Sequence, residues 1–272
     1  MHRVNFRAYR AIFRVQFNNS IQYRAAALAG LSTQFAWGFM YILAFRAFYA
    51  ANPAAFPMTF EQTVSYVWIQ QAFLALFAMW AYDYDIFESI QNGFISYEMV
   101  RPVNLYNRWY TQTIANRFAR VTLRCAPILL VAIVIPAPFR MVLPTDIMQI
   151  GLFFLSMLMA VCVTVGVVML VYVSAFSTLN AGGTRMIVAS GGEFLAGMYV
   201  PIPFFPAGLR TVVELSPFGA MQNTPLLIFS GYLQGDALVR ALVVQIFWLV
   251  VLFALGQIWM ARALQRVTVQ GG

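Results

Sequence analysis

Few side chains in this sequence could do covalent or metal chemistry. There is one histidine, His2, too little for a Ser-His-Asp triad or a histidine metal site. The two cysteines, Cys125 and Cys162, form no CxxC pair. They sit in or beside apolar runs and read as reduced packing residues. No GxxxxGK[ST] loop is present, so no nucleoside triphosphate is cradled by that route. The Gly-x-x-x-Gly-like spacings around Gly182–Gly197 read as helix packing. What remains is charge placed for contact: the carboxylates Asp83, Asp85 and Glu88, the isolated Glu193, and a stripe of Arg3, Arg7, Arg10 and Arg14.

The stripe steps by 4, 3 and 4 residues. On a helix its members fall within an arc of roughly 60°. Phe6, Tyr9, Phe13 and Phe17 flank it on one side, and Val4, Ala11 and Val15 on the other. This predicts an amphipathic helix over residues 1–18, lying on a membrane with its Arg facing phosphates and cytosol. Packing against a cytosolic partner would use the same pattern, and the two can coexist. No cleavable leader pattern follows Arg14.

The carboxylate cluster belongs to the segment Asp83–Arg101. Ile86, Ile90 and Phe94 recur every four residues there, with Phe87 alongside. Gly93 can interrupt a helix and Pro102 limits a later one. The segment therefore predicts a short amphipathic helix whose apolar stripe could fill a partner's groove. Glu193 lies in a Gly-rich apolar run, where a carboxylate is costly. It should face the protein interior or a water-filled path. A contact with a cationic substrate or gate partner would explain it, and so would a hydrogen bond to a neighbouring helix. Pro201, Pro203 and Pro206 then stop that run. Leu209, Val212 and Val213, with Arg210 and Glu214 four apart, predict a short helix within 201–217 that is too short to span.

The elements positioning these residues follow from composition. The 272 residues are 61% apolar and 10% charged, with mean hydropathy +0.73. Soluble domains are about 25% charged. The chain therefore lacks a soluble protein's charged coat and is expected to be an all-α integral membrane protein. Six apolar runs are long enough or nearly so to span: about 25–49, 62–82, 115–136, a stretch within 147–184, 186–200 and 241–261. Arg117, Arg120 and Arg124 fall on the early turns of the third. All 17 basic residues are Arg and the formal net charge is +8. They sit beside apolar runs, which argues for membrane topology rather than nucleic acid. Six spans put both termini on one side, with thirteen of the Arg; Arg46, Arg140, Arg210 and Arg240 lie on the other. The positive-inside rule makes the first side cytoplasmic.

Two motifs together carry a resemblance. One is Gly197, apolar residues, Pro201, then Phe204-Phe205-Pro206, a short helix and Leu215-Ser216-Pro217-Phe218. The other is Asp85-Ile86-Phe87-Glu88-Ser89-Ile90-Gln91-Asn92-Gly93 followed by Val100-Arg101-Pro102-Val103. Their order and spacing resemble ABC-2 type transporter permeases, in the export subgroup near daunorubicin- and viologen-type exporters. The resemblance covers the whole chain as a single permease domain, 1–272. It implies six transmembrane helices, an N-terminal interfacial helix, a cytoplasmic coupling helix in the 83–101 loop, and short outer-leaflet helices between spans five and six that close the pathway. It implies that Asp85, Glu88, Gln91, Asn92 and Gly93 are coupling positions, with Arg101 and Pro102 closing the loop. Separate ATPase subunits would hold ATP and Mg, none of it on this chain. Two permeases, identical or related, would pair in the inner membrane. Glu193 is not a constant of that resemblance.

A membrane scaffold without an ATPase is the alternative from another class. A secondary carrier would show several paired intramembrane charges, and the sequence has none. The 25 Phe, 13 Tyr and 6 Trp would suit amphiphilic or cationic aromatic cargo, as in multidrug efflux, and equally a lipid-facing surface. Substrate identity stays open at this level. The topology is directly testable. In a background lacking Cys125 and Cys162, a single cysteine from His2→Cys or Gln270→Cys should resist an impermeant maleimide in intact cells and react after permeabilisation. Labelling from outside would invert the topology.

Overall fold

The computed structural model describes residues 6–22, 24–178 and 181–266. Every regular element among them is helical. In order they are α1 (Phe6–Ile21), α2 (Arg24–Ala51), α3 (Phe60–Phe77), α4 (Tyr84–Gln91), α5 (Ile95–Met99), α6 (Leu105–Thr122), α7 (Cys125–Val134), α8 (Ile147–Ser174), α9 (Gly182–Leu195), α10 (Ala207–Leu215), α11 (Asn223–Phe229) and α12 (Gly235–Leu264). Single 3-10 turns at Pro53–Ala55 and Ile202–Phe204 sit in the connections after α2 and α9.

At the centre stand α3 and α8. Around α3 pack α2, α6, α7 and α11, and α8 is gripped by α12, α11 and α6. Thr59 begins α3 with a capping box: its side chain accepts from Gln62 N–H at 3.2 Å, and Gln62 Oε1 accepts from Thr59 N–H at 2.9 Å. Because α3 is enclosed, it buries polar side chains as well, Thr63, Ser65, Gln70 and Gln71 among them. Gln70 Nε2 donates to Gly197 O and Met198 O at 3.1 and 2.8 Å, and Tyr66 O–H to Gly197 O at 3.0 Å. These bonds fasten the stretch after α9. Gly197 closes α9 in the left-handed region (φ +80°), with its N–H bonded to Phe194 O and the next N–H to Glu193 O, a glycine-dependent helix ending.

Two helices, α8 and α12, are long and apolar enough to cross a membrane. At about 1.5 Å per residue each reaches beyond the ~30 Å of a hydrocarbon core. They differ in surroundings. α8 is largely enclosed, whereas α12 turns Val243, Phe247, Val250 and Ile258 outward, each at least half exposed. An apolar face that long is stable only against lipid or another apolar surface.

The third apolar run is arranged differently from the sequence expectation over 115–136. The helix starts ten residues earlier, at Leu105, and breaks at Leu123–Arg124 before α7 resumes. Pro127 lies on the first turn of α7. Its ring cannot follow a helical carbonyl at Leu123, and it has no N–H to offer it. The short helix expected within 201–217 is α10, with Arg210 Nε and Glu214 Oε1 paired at 2.7 Å. A second short helix, α11, follows it in the same stretch. All seven of its residues are buried, so it folds back into the bundle.

Gly256 of α12 faces the ring of Tyr106 in α6, and a methyl group there would overlap the ring. Gly256→Ala should therefore destabilise the detergent-solubilised protein by about 1–3 kcal/mol, with Gly256→Leu worse. Gly151→Ala, which meets nothing within 4 Å, should leave the thermal midpoint at or slightly above the parent's, because alanine is the better helix former.

Candidate coupling site

After Phe77 the chain leaves helical geometry until Tyr84. The backbone groups of this unwound segment must find other partners. Side chains from three helices supply them. Arg117 Nη1 of α6 donates to Leu76 O at 2.7 Å, on the last turn of α3. Glu193 Oε1 of α9 accepts from Met79 N–H at 3.2 Å. Tyr172 O–H of α8 accepts from Asp83 N–H at 2.7 Å. The segment is a joint, with its two ends and its middle each held by a different helix.

Glu193 is 7% exposed and so faces the interior. Its second oxygen accepts from Tyr199 O–H at 3.4 Å. Gly192 permits the approach: a Cβ on it would fall 2.5 Å from Met79 Sδ. Arg117, on an early turn of the third apolar run, is not at a surface; it is 1% exposed. Its Nε and Nη2 have no hydrogen-bond partner among the described residues. The guanidinium lies in the fields of Tyr172, Tyr82 and Glu193.

Asp83 then caps α4, its carboxylate accepting from Asp85 N–H at 3.3 Å. Burial first, and the neighbouring Asp85 second, push the Asp83 carboxyl above the usual aspartate range. Asn116 Nδ2 donates to Asp83 Oδ2 at 3.4 Å, while Asn116 Oδ1 accepts from Gln16 Nε2 at 3.0 Å and Ser20 Oγ at 2.7 Å. One asparagine thus links α1, α6 and the cap of α4.

α1 matches the amphipathic expectation over a slightly shifted range, Phe6–Ile21. Arg7, Arg10 and Arg14 are exposed, and Tyr9, Phe13, Gln16 and Phe17 lie half-buried toward α6. Arg3 falls outside the described residues.

In α4 the apolar stripe faces the protein's own core. Ile86 and Phe87 are buried and Ile90 is half-buried. The Phe87 ring stands 5.1 Å from that of Tyr172, and the Arg185 guanidinium of α9 lies over the Phe87 ring, 4.7 Å from its centroid. This corrects the expectation that Ile86, Ile90 and Phe94 together could fill a partner's groove; only Phe94 of the three points outward, 57% exposed. Period four identifies one face of a helix but not what the face meets. Asp85, Glu88, Gln91, Asn92, Gly93, Arg101 and Pro102 are all exposed. Near them Tyr97 and Val100 are bare, at 70% and 82% exposure. Glu98 anchors this tip from beneath, accepting from Trp109 Nε1 at 2.7 Å and pairing with Arg108 at 3.4 Å. Sequence reasoning missed Glu98, Asn116, Tyr172 and the clamp role of Arg117. Nothing in their spacing distinguishes them from ordinary surface or core residues.

Residues 35–271 match a family model described as ABC-2 family transporter protein. The chain belongs to the ABC-2 transporter family. The match runs from within α2 to beyond α12, so it takes in the joint, α4, α10 and α11 but not α1. No curated protein matches the chain. In ABC-2 transporters such a chain is the membrane component and not the ATPase, and membership implies association with ABC ATPase subunits.

The clamps make distinct predictions. Glu193→Leu strands the Met79 N–H, and Arg117→Met strands the Leu76 carbonyl; each should cost about 1–3 kcal/mol. Glu193→Gln keeps an acceptor and should cost less. Maleimide reactivity of a cysteine from Ala81→Cys should rise in the two apolar variants and stay near the parent's in Glu193→Gln.

Proposed function

We propose that the chain is the permease subunit of an ABC exporter, driven through the tip that follows α4. The observation carrying this is an exposed apolar patch in an otherwise polar turn: Phe94, Tyr97 and Val100 stand bare beside the carboxylates Asp85 and Glu88. Exposed apolar groups on rigid supports mark interaction surfaces. The rings of Phe94 and Tyr97 lie 6.4 Å apart, giving a compact anchor that a groove can take. Asp85 and Glu88 would meet basic groups on the motor and set its register.

In this reading the six apolar runs cross the inner membrane and both termini are cytoplasmic. Two permeases, identical or related, enclose the pathway, with α12 and α2 offering apolar surface to lipid or to the second permease. ATP and Mg reside on the ATPase subunits. The cargo is a hydrophobic or amphiphilic compound. A push on the tip reaches α4, whose buried face and capped start pass it to α8 and α9 through Phe87, Tyr172 and Arg185. Glu193 acts there as part of the joint, and its carboxylate need not meet cargo.

Burying a Phe or Val anchor is worth roughly 1.5–3 kcal/mol. Phe94→Ala with Val100→Ala should therefore weaken ATPase retention about a hundredfold, at 1.4 kcal/mol per tenfold, while thermal stability in detergent stays near the parent's. Ile86→Ala should do the reverse, lowering stability with less effect on retention. Undiminished co-purification and coupled hydrolysis in the double variant would remove the tip as the docking element.

A further inference from the structure

A slot of about 220 Å³ lies between α10, α11 and the start of α12, a volume of about seven waters. Two polar groups on its wall have no partner. Arg240 of α12 makes no ion pair or hydrogen bond with any described residue, not even with Asp236 one helical turn earlier. Asn223 of α11 is 4% exposed. Its Oδ1 accepts from the Ile202 N–H at 3.4 Å and from the Tyr66 O–H at 3.3 Å. A backbone N–H can only donate, which fixes the oxygen on that side and leaves Nδ2 for the slot. That nitrogen bonds to no described residue. The other polar groups on the wall are already engaged. Arg210 pairs with Glu214 at 2.7 Å, so their charges cancel. The hydroxyls of Thr211 and Thr224 donate to Ala207 O and Gly219 O, both at 3.0 Å, and have no proton left for a ligand. The wall thus has donors to spare, one guanidinium and one buried amide nitrogen, and Leu227, Leu233 and Val244 line the rest. The slot is also preformed. A Cβ on Gly219 would overlap Val213 O, so the turn after α10 packs directly against that helix. Trp248 Nε1 of α12 donates to Leu215 O, at the end of α10, at 2.8 Å.

We propose that this slot binds a small apolar monocarboxylate. One carboxylate oxygen accepts from Arg240 and the other from Asn223 Nδ2, and the hydrocarbon lies along Leu227, Leu233 and Val244. A buried donor without an acceptor is costly, and the carboxylate supplies the acceptor. A single negative charge matches the one positive charge left uncancelled, whereas a dianion would be repelled by Glu214 in the same wall. The space suits a short free acid; a diacyl lipid headgroup with its two chains exceeds it. This goes beyond the exporter reading and does not rest on it; binding is measured without the ATPase.

Saturation-transfer NMR on the full chain in an uncharged detergent tests it, titrating hexanoate, hexan-1-ol and hexylammonium, three probes with the same hydrocarbon. Saturable hexanoate binding is expected, about tenfold tighter than hexan-1-ol, since a charge-assisted contact is worth about a factor of ten or more. Hexylammonium should show no saturable binding. Arg240→Gln should weaken hexanoate about tenfold and leave hexan-1-ol unchanged, and Arg240→Lys should retain most of the affinity. Asn223→Asp keeps an oxygen for Ile202 and Tyr66 but puts a carboxylate in place of the donor, and should abolish hexanoate binding. Should that variant fail to fold, Arg240→Gln, on an exposed side chain, decides alone. Equal affinity for hexanoate and hexan-1-ol, or undiminished hexanoate binding in Arg240→Gln, overturns the site. Displacement of hexanoate by equimolar phosphatidylglycerol overturns the free acid as its occupant and gives the slot to a lipid phosphate.

Discussion

A helix that stops inside a membrane protein must hand its backbone groups to something other than water. Most of the architecture around the middle of this chain answers that demand. α3 unwinds after Phe77, and its successors are met by a guanidinium from α6, a carboxylate from α9 and a phenol from α8. Each donor or acceptor is long or rigid enough to reach from its own helix, and each fixes where that helix can sit. Gly192 is small because α9 must come that close.

This arrangement explains why charge occurs where lipid would reject it. Arg117 and Glu193 are separated by the segment they both hold, and each lies in the other's field. Buried charge is tolerated when it satisfies groups that would otherwise be stranded. The same arrangement makes α4 an extension of the bundle rather than a loose loop. Its apolar side is absorbed by Tyr82, Phe87 and Tyr172 packing edge to face, leaving its polar residues, Tyr84 and the Phe94–Val100 tip for a partner.

Much of this was legible in the residues. The apolar runs, the N-terminal Arg stripe, the short helix of Arg210 and Glu214, and the helix after Asp83 all follow from spacing. The direction of the α4 stripe did not, because Ile86 and Phe87 would have the same period whichever surface they met. Arg117 was equally opaque: an arginine near a span's end reads the same whether it snorkels or sits at 1% exposure. The early start of α6 was hidden by its arginines, which depress the apolar signal over 107–117. The enclosure of α11 is legible only once the stretch after α10 folds back and its seven residues are seen to be buried.

The break between α6 and α7 has a mechanical consequence. An unbroken helix is a lever that carries a tilt from one end to the other. Here the lever is cut at Leu123–Arg124. The lower piece holds α1 through Asn116, the end of α3 through Arg117, and the tip through Trp109 and Arg108. The upper piece packs on α3 without those attachments. A displacement at the lower end can therefore be taken up as bending at the cut, so that the part of the bundle tied to the joint can shift as a block while the part around α7 keeps its packing on α3.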